Sequence, residues 1–387
     1  MDATVFQEDA PGQLVKIATN YGEDWAFIPN PLPPNIVMDQ DLSNRVAETQ
    51  YALGELAGLG SGIANPNLFI RPFIRREAVL GSIIEGTVVD ISDLYAYEAG
   101  QLALPGMERR PPEAAVREVY NYVRTIEYAL EETRIPLSLR LLRELHKRLM
   151  TGARGGAAAR GDFRDLPAGV RGRTLRDAVY IGPPVPAMNE CLGDLEKFLH
   201  AETDLLPLIR IALVHYQFEA IHPFRDGNGR IGRLLMHSLF VFWKLLPVPL
   251  LYVSRYFERN RDTYCGLLFE ISASGAWRDW INFFLDAVCI EALDTADRIK
   301  ALNVLQSEWH ERLKGVGRSD LPSRLTKALF EAPYVTIPLA AKILDVTYTG
   351  AKRAVDRLVD TGILVQLTPS SYNRVFVAHE VFDIITV

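Results

Sequence analysis

Cysteine is scarce in this chain. Only Cys191, Cys265 and Cys289 occur among 387 residues. An odd trio outside metal-ligand spacing excludes a disulfide framework and a paired-cysteine zinc site, and it fits a reduced compartment. A surplus of one charge is missing too. The 42 Lys and Arg against 48 Asp and Glu leave a net charge of −6, which excludes general adhesion to nucleic acid or anionic lipid. No apolar run reaches the roughly 20 residues that a bilayer-spanning helix needs. The greasiest stretch, LFVFWKLLPVPLLYV, is broken by Lys244, Pro247 and Pro249, and it reads as a buried helix ending in a proline turn. The usual nucleotide signatures are absent as well. There is no GxxxxGK[ST] phosphate loop, GLGSG at Gly58 lacks the last glycine of a dinucleotide fingerprint, and protein-kinase and HExxH motifs do not occur.

What remains is an ordinary globular composition, 48% apolar and 23% charged, with length for two or three domains. The opening MDATVFQEDAPGQLVK is acidic where a secretory leader would be basic and then apolar, so a cytoplasmic protein is expected. FIPNPLPPNI, Phe27 to Ile36, reads as extended chain laid on a surface, because its prolines fix φ and remove backbone donors. From LSNRVAETQYALGELAGLG onward, apolar residues recur at three and four, the period of amphipathic helices. The helical body runs through AAVREVYNYVRTIEYALEETR, LSLRLLRELHKRLM, MNECLGDLEKFLH, LPLIRIALVHYQFEAI, RIGRLLMHSLFVFWKL and SRYFERNRDTYCGLLFEIS. Another helix is predicted from Trp277 to Arg298.

Two interruptions stand out. The tract from Gly152 to Gly161 reads as a surface loop. Between Gly161 and Pro186, Gly and Pro punctuation around a β-like run at Ala178 to Ile181 predicts a small hairpin or flap. The end of the chain then changes character. SRLTKALFEA, IPLAAKILD and TYTGAKRAVDRLVDTG predict three helices. ILVQL and RVFVA predict two strands across the turn TPSSYN, which together make a winged helix-turn-helix. Gly317 to Val387 carries eight Lys/Arg and seven Asp/Glu, a weak charge for DNA phosphates. The wing and third helix could equally serve a protein partner or a homodimer.

The stretch AIHPFRDGNGRIGRLLM, Ala220 to Met236, interrupts the core between two apolar helices. Glycines tolerate positive φ, so the N–H groups of Gly227, Asn228 and Gly229 can point together as an anion nest. The dipole of the helix beginning near Arg230 reinforces such a site. Arg230 and Arg233, three apart on a helix, can hold successive phosphates by forked hydrogen bonds. Asp226 is a single carboxylate of the kind Mg²⁺ takes while completing its octahedron with phosphate and water. His222, on the rim of the same loop, can act as a general base near pH 7. A lone histidine at a helix end, or DGNG alone, is more often structural. Base, metal ligand, nest and clamps in one loop make a site for a nucleoside triphosphate.

HPFRDGNGRIGR, His222 to Arg233, resembles the Fic family signature HPFx[DE]GNGRxxR, with every fixed position filled. WAFIPNPLPP, SIIEGT and RYFERNRDTYCGLL resemble flanking regions of one Fic class, in which a winged-helix tail is frequent. The resemblance implies a mainly α fold, with a Fic-type helical core and a small β-hairpin flap, plus a C-terminal winged helix-turn-helix. It also implies transfer of AMP from ATP to a Ser, Thr or Tyr hydroxyl of a target protein, with release of pyrophosphate. His222 would be the base, Asp226 the Mg²⁺ ligand, and Gly227, Asn228 and Gly229 the anion hole. Arg230 and Arg233 would bind the β- and γ-phosphates. Phe224 would anchor the loop by packing, and Asn260 would line the nucleoside pocket. The flap at Val179, Tyr180 and Ile181 would dock the target backbone by strand addition.

That class also carries an inhibitory helix, [ST]xxxE[GN], whose glutamate pairs with the second arginine. GSIIEG supplies Glu85 and Gly86, but Gly81 stands at the hydroxyl position and Ser82 falls one residue late. Read locally, REAVLGSIIEG is a helix capped by Gly86, and a glutamate in its last turn faces the negative end of the dipole, an unfavourable place. The expected organisation is an N-terminal region over residues 1–100, a catalytic core over 101–300, a linker over 301–316 and the tail over 317–387. Two alternatives stay open beside an autoinhibited AMP transferase. One keeps the site with another nucleotide donor or AMP removal; the other makes the chain a winged-helix regulator. No membrane partner is expected.

Overall fold

The computed structural model describes residues 1–20, 22–62, 65–98, 111–131, 136–152, 160–172, 174–314, 319–367 and 374–386. The chain opens with a hairpin that the sequence reading did not find. Strands β1 (Gly12–Thr19) and β2 (Gly22–Pro29) pair antiparallel from Gly12 opposite Pro29 to Thr19 opposite Gly22. Helices follow: α1 (Gln40–Gly62), α2 (Asn67–Ile84), α3 (Ile91–Glu98), α4 (Glu113–Glu131) and α5 (Leu139–Leu149). The flap is a two-stranded sheet of β3 (Gly169–Val170) and β4 (Tyr180–Ile181), in register Gly169 to Ile181. It packs on the opening hairpin, with Ile17 and Ala26 against Ala178 and Ile181.

Next come α6 (Val185–His200), α7 (Pro207–Ile221), α8 (Asn228–Phe242), α9 (Ser254–Arg259) and α10 (Arg261–Ser274). Helix α7 is apolar nearly all round and buried on every side, as is most of α8. Such helices have no solvent face and must sit at the centre of the fold. Helix α11 (Trp277–Leu313) spans 37 residues, about 55 Å at 1.5 Å per residue. Residues 301–316 were expected as a linker, but α11 continues through Leu313. Leu302, Leu305 and Trp309 are buried on its inner stripe, so the helix propagates where packing rewards it.

The tail is α12 (Leu321–Glu331), β5 (Tyr334–Thr336), α13 (Ile337–Leu344), α14 (Tyr348–Asp360), β6 (Val365–Gln366), β7 (Val375–Val377) and α15 (His379–Thr386). Its three strands run antiparallel in the order β5-β7-β6. Strand β5 and helix α15 are additions to the three helices and two strands expected. The expected turn 368–373, the middle of the Gly/Ala tract and the boundary between residues 100 and 101 lie outside the described residues.

The tail does not hang free of the body. Phe330 packs on Trp309 of α11 at 4.9 Å between centroids, and Tyr334 on Tyr95 of α3 at 5.4 Å. Arg71 of α2 pairs with Glu331 at 2.7 Å, and the Arg298 guanidinium donates to the Ile384 carbonyl. One continuous apolar core includes Trp280, which donates to the Ala212 carbonyl of α7, and Val381 in α15. Deleting residues 317–387 would uncover α2, α3 and α11 together. The truncated chain should melt at least several degrees below the full chain by circular dichroism, since each buried aromatic pair is worth about 0.5–1.5 kcal/mol beyond area. Equal melting temperatures would show an independent tail.

Candidate functional site

The loop between α7 and α8 reverses the chain at two left-handed residues. His222 ends α7 at φ 50°, and Gly227 precedes α8 at φ 78°. A non-glycine residue in that region is strained and needs outside support. Arg164 provides it. This arginine is only 2% exposed, and it donates to the carbonyls of His222 (2.8 Å), Pro183 (2.6 Å) and Leu166 (3.0 Å). Asn228 braces the loop from within, since its side-chain oxygen accepts from Phe224 N–H and its amide donates to Phe224 C=O, both at 2.8 Å. Phe224 is fully buried and stacks on His146 at 3.9 Å. His146 accepts from Gly161 N–H through Nδ1, so Nε2 carries the proton and donates to the Asp226 carbonyl at 3.0 Å. Arg164 and His146 were missed in the sequence. Each reaches a carbonyl of the loop more than fifty residues away, which leaves no local motif.

The two arginines of the motif diverge. Arg233 is fully buried and faces α2, where Nη2 donates to Glu85 Oε1 and to Gly81 C=O, both at 2.8 Å. Arg230 faces α4 instead and pairs with Glu118 at 2.7 Å. Because α8 is enclosed all round, a three-residue step is enough to aim the two guanidiniums at different helices. Glu85 caps α2, with Gly86 following at φ 88°. A methyl group on Gly229 would collide with the Glu85 carboxylate, so that carboxylate lies over the start of α8. Burial works against charge on Glu85, but Arg233 outweighs it and holds the carboxyl below its usual range. Burial likewise opposes the Arg233 charge, and Glu85 more than compensates. The Glu85 side chain keeps 34% of its surface, so this clamp meets solvent.

A cleft of about 320 Å³ brings together Glu85, His222, Gly229 and Arg233 with the flap residues Val179 and Tyr180. Tyr264, Leu268 and Phe269 of α10 supply its apolar side. Tyr180 ties the flap to the end of α7 by donating to the Ala220 carbonyl at 2.8 Å. Ile181 is instead fully buried against the hairpin. Asp226 is exposed and accepts from Gly227 N–H at 2.6 Å. Asn260 caps the end of α9, its amide donating to Tyr256 C=O at 2.9 Å. Ile181, Phe224, Asp226, Gly227, Asn228, Arg230 and Asn260 do not line the cleft. Glu219, which does, was not singled out in the sequence.

Burial, then Arg164, lowers the His222 imidazole from 6.5 to about 4. It is therefore neutral at pH 7. Its Nδ1 lies 3.4 Å from the Glu219 carbonyl, which can only accept. The proton thus sits on Nδ1, and Nε2 keeps its lone pair.

Residues 43–131 match the model described as Fic/DOC family N-terminal, and residues 136–240 the model described as Fic/DOC family. The chain belongs to the Fic/DOC family. A protein adenylyltransferase Fic from Nematostella vectensis is 26% identical over 294 residues, covering 73% of this chain and 61% of that protein. One from Drosophila erecta is 30% identical over 195 residues, covering 46% of this chain and 35% of that protein. The chain thus spans less than two thirds of these relatives. A Fic family protein from Desulfovibrio desulfuricans G20 has the same fold, with a TM-score of 0.57 at 22% identity, covering 90% of this chain and 98% of that one. Fic-1 from C. elegans gives 0.53 at 18% identity, covering 69% and 74%. Together these establish the mainly helical Fic/DOC fold.

The unfolded chain binds a proton on His222 near 6.5 and the folded chain only near 4. The neutral ring therefore stabilises the fold above pH 6.5, and that contribution is lost as pH falls towards 4. Histidine-selective NMR should show the His222 ring neutral down to about pH 5. A midpoint at 6 or above would contradict the burial described here.

Proposed function

We propose that this Fic/DOC protein transfers AMP from ATP to a Ser, Thr or Tyr hydroxyl of a target protein and is autoinhibited by Glu85. The carrying observation is the neutral His222 in one cleft with the glycine-rich start of α8 and a buried arginine already holding an anion. The Glu85 carboxylate stands where a phosphate would bind. In the proposed step, Nε2 of His222 takes the proton of the attacking hydroxyl. The hydroxyl oxygen bonds to the α-phosphorus, the bond to the bridging oxygen breaks, and pyrophosphate leaves. Approach of the triphosphate adds negative charge and raises the His222 pKa towards the working pH. The N–H groups of Gly227, Asn228 and Gly229 would hold phosphate oxygens, and Arg233 the terminal phosphate once Glu85 withdraws. Arg230, paired with Glu118, would steady α8 and add positive potential to the β-phosphate.

Asp226 fits Mg²⁺ as one exposed carboxylate that leaves the remaining positions to phosphate and water. Among the described residues no group of three or more His, Cys, Asp or Glu could hold a metal ion. Bound there, Mg²⁺ would neutralise phosphate charge. Val179 and Tyr180 of the flap are the proposed target-docking surface. Asn260 is proposed to bear on the nucleoside through the α9–α10 junction.

We read the tail as a winged helix that binds a protein partner or a second copy in preference to DNA. On α14, Lys352 pairs with Asp356 at 2.5 Å, so the basic residues of the helix that would enter a groove are interleaved with acid. Three free cysteines accord with work in the cytoplasm. Among the described residues no helix is long and apolar enough to cross a membrane.

Incubation with labelled ATP and a cell lysate tests the reading, with mass spectrometry of the labelled proteins. His222→Ala should lower transfer by about 10²–10⁴ and leave ATP affinity within a few-fold, because the phosphate contacts lie elsewhere. Near-normal turnover would sink the base assignment. Glu85→Gly should raise transfer severalfold or more, whereas Arg233→Ala should lower it although it breaks the same pair. With Gly81 offering only its carbonyl, the wild type should show measurable basal transfer. Equal rates for wild type and Glu85→Gly at saturating ATP would refute inhibition by Glu85.

A further inference from the structure

Two glycines on α8, one turn apart, each leave bare backbone against which a carboxyl rests. A methyl group on Gly229 would meet the Glu85 carboxylate, and one on Gly232 would meet the Glu219 carboxyl. Glu85 is answered by Arg233 Nη2. Glu219 is not. Its Oε1 is shut off from water without a hydrogen-bond partner, and Arg233 Nε–H, equally shielded, also has none. Both residues line the same cleft. An acceptor lacking a donor beside a donor lacking an acceptor is unfavourable in this state, and it suits a state in which the two meet.

The surroundings explain why they are apart. Burial pushes the Glu219 carboxyl up to about 8, the Glu85 charge adds to this, and Arg233 opposes it. With Glu85 in place, Glu219 keeps its proton at neutral pH. Of its other neighbours in the cleft, the arginines alone carry charge at that pH. Tyr264 and Cys265 of α10 are both pushed upward by burial first and remain neutral. His222 is neutral too, while Arg171 and Arg261 line the same cleft.

We propose that Glu219 is the positioning residue for Arg233 once Glu85 has withdrawn, engaging Nε–H from α7 so that the outer guanidinium nitrogens face a terminal phosphate. Loss of the Glu85 charge removes one influence that holds the proton on Glu219, and it frees the full Arg233 charge to act on that carboxyl. A carboxylate on Nε fixes the plane of the guanidinium, the geometry in which arginine grips phosphate by two parallel bonds. This rests on the reading of the cleft as a nucleoside triphosphate site closed by Glu85.

The test is calorimetric affinity for ATP and ADP between about pH 6 and 9, using full-length Glu85→Gly with and without a change at residue 219. ADP lacks the terminal phosphate, so the ATP-to-ADP affinity ratio reads the Arg233 contact without catalysis. In Glu85→Gly the ratio should rise about tenfold with pH as Glu219 ionises, the scale of one charge-assisted hydrogen bond. Adding Glu219→Gln should make the ratio far less dependent on pH, and adding Glu219→Ala should hold it at the low end with ADP affinity unchanged. A ratio that falls with pH, or the same rise in the Gln variant, would overturn the positioning role while leaving the transferase reading intact. If one residue-219 variant fails to fold, the other supplies the comparison. No ATP binding by Glu85→Gly at any pH would overturn both.

Discussion

A guanidinium with none of its surface in water must be answered by oxygen atoms, and the placement of α2 follows from that need. Arg233 sits at the centre of α8 and is fully buried. Helix α2 meets it with a ladder at four-residue intervals of Glu77, Gly81 and Glu85, facing His237, Arg233 and Gly229. Gly81 gives its carbonyl and Glu85 its carboxylate. Deeper in, Glu77 lies 3.7 Å from His237 and accepts from the Ser254 hydroxyl at 2.5 Å. Glu77 also accepts from Ser254 N–H at 3.3 Å, which helps satisfy the start of α9. Burial pushes the Glu77 carboxyl up to about 7, so this deeper rung is about half protonated at pH 7 while the outer rung is a charged pair. Removing one partner of a buried pair is costly because it strands the other. Arg233 therefore needs an anion, whether from the protein or from a ligand.

The space that a side chain at residue 81 would fill is already lined. A methyl group there would lie 3.0 Å from the Tyr122 ring and 3.4 Å from the Ser254 hydroxyl. The hydroxyl that the resemblance led one to expect on α2 thus has a counterpart reaching in from α9. The Arg233–Glu85 pair is completed by the Gly81 carbonyl in place of a side-chain hydroxyl on α2.

Much of the site was legible because the motif packs its chemistry into twelve consecutive residues. His222, Gly229 and Arg233 line one cleft as that spacing implied. What was not legible depends on directions that sequence spacing does not carry. Arg230 turns to α4 because α8 has neighbours on every side, and Asn260 spends its amide on a helix end. In the fold, the apolar period of the long helices was plain. The end of α11 was underestimated because its outer face is polar, although Leu302, Leu305 and Trp309 continue the inner stripe. The opening hairpin went unseen because β1 and β2 are only partly buried and lack clean alternation.

The rest of Glu219 against Gly232 ties two positions of the chain in sequence space. Position 232 is an unrestricted letter of the motif, so a reader of the signature alone would treat it as free. Here its lack of a side chain is what seats the Glu219 carboxyl, three residues along α8 from the glycine that seats Glu85. Alanine at 232 would displace the Glu219 carboxyl and press on the buried Phe218 ring. Positions 219 and 232 should therefore drift as a couple through descent, each permitting or forbidding what the other carries.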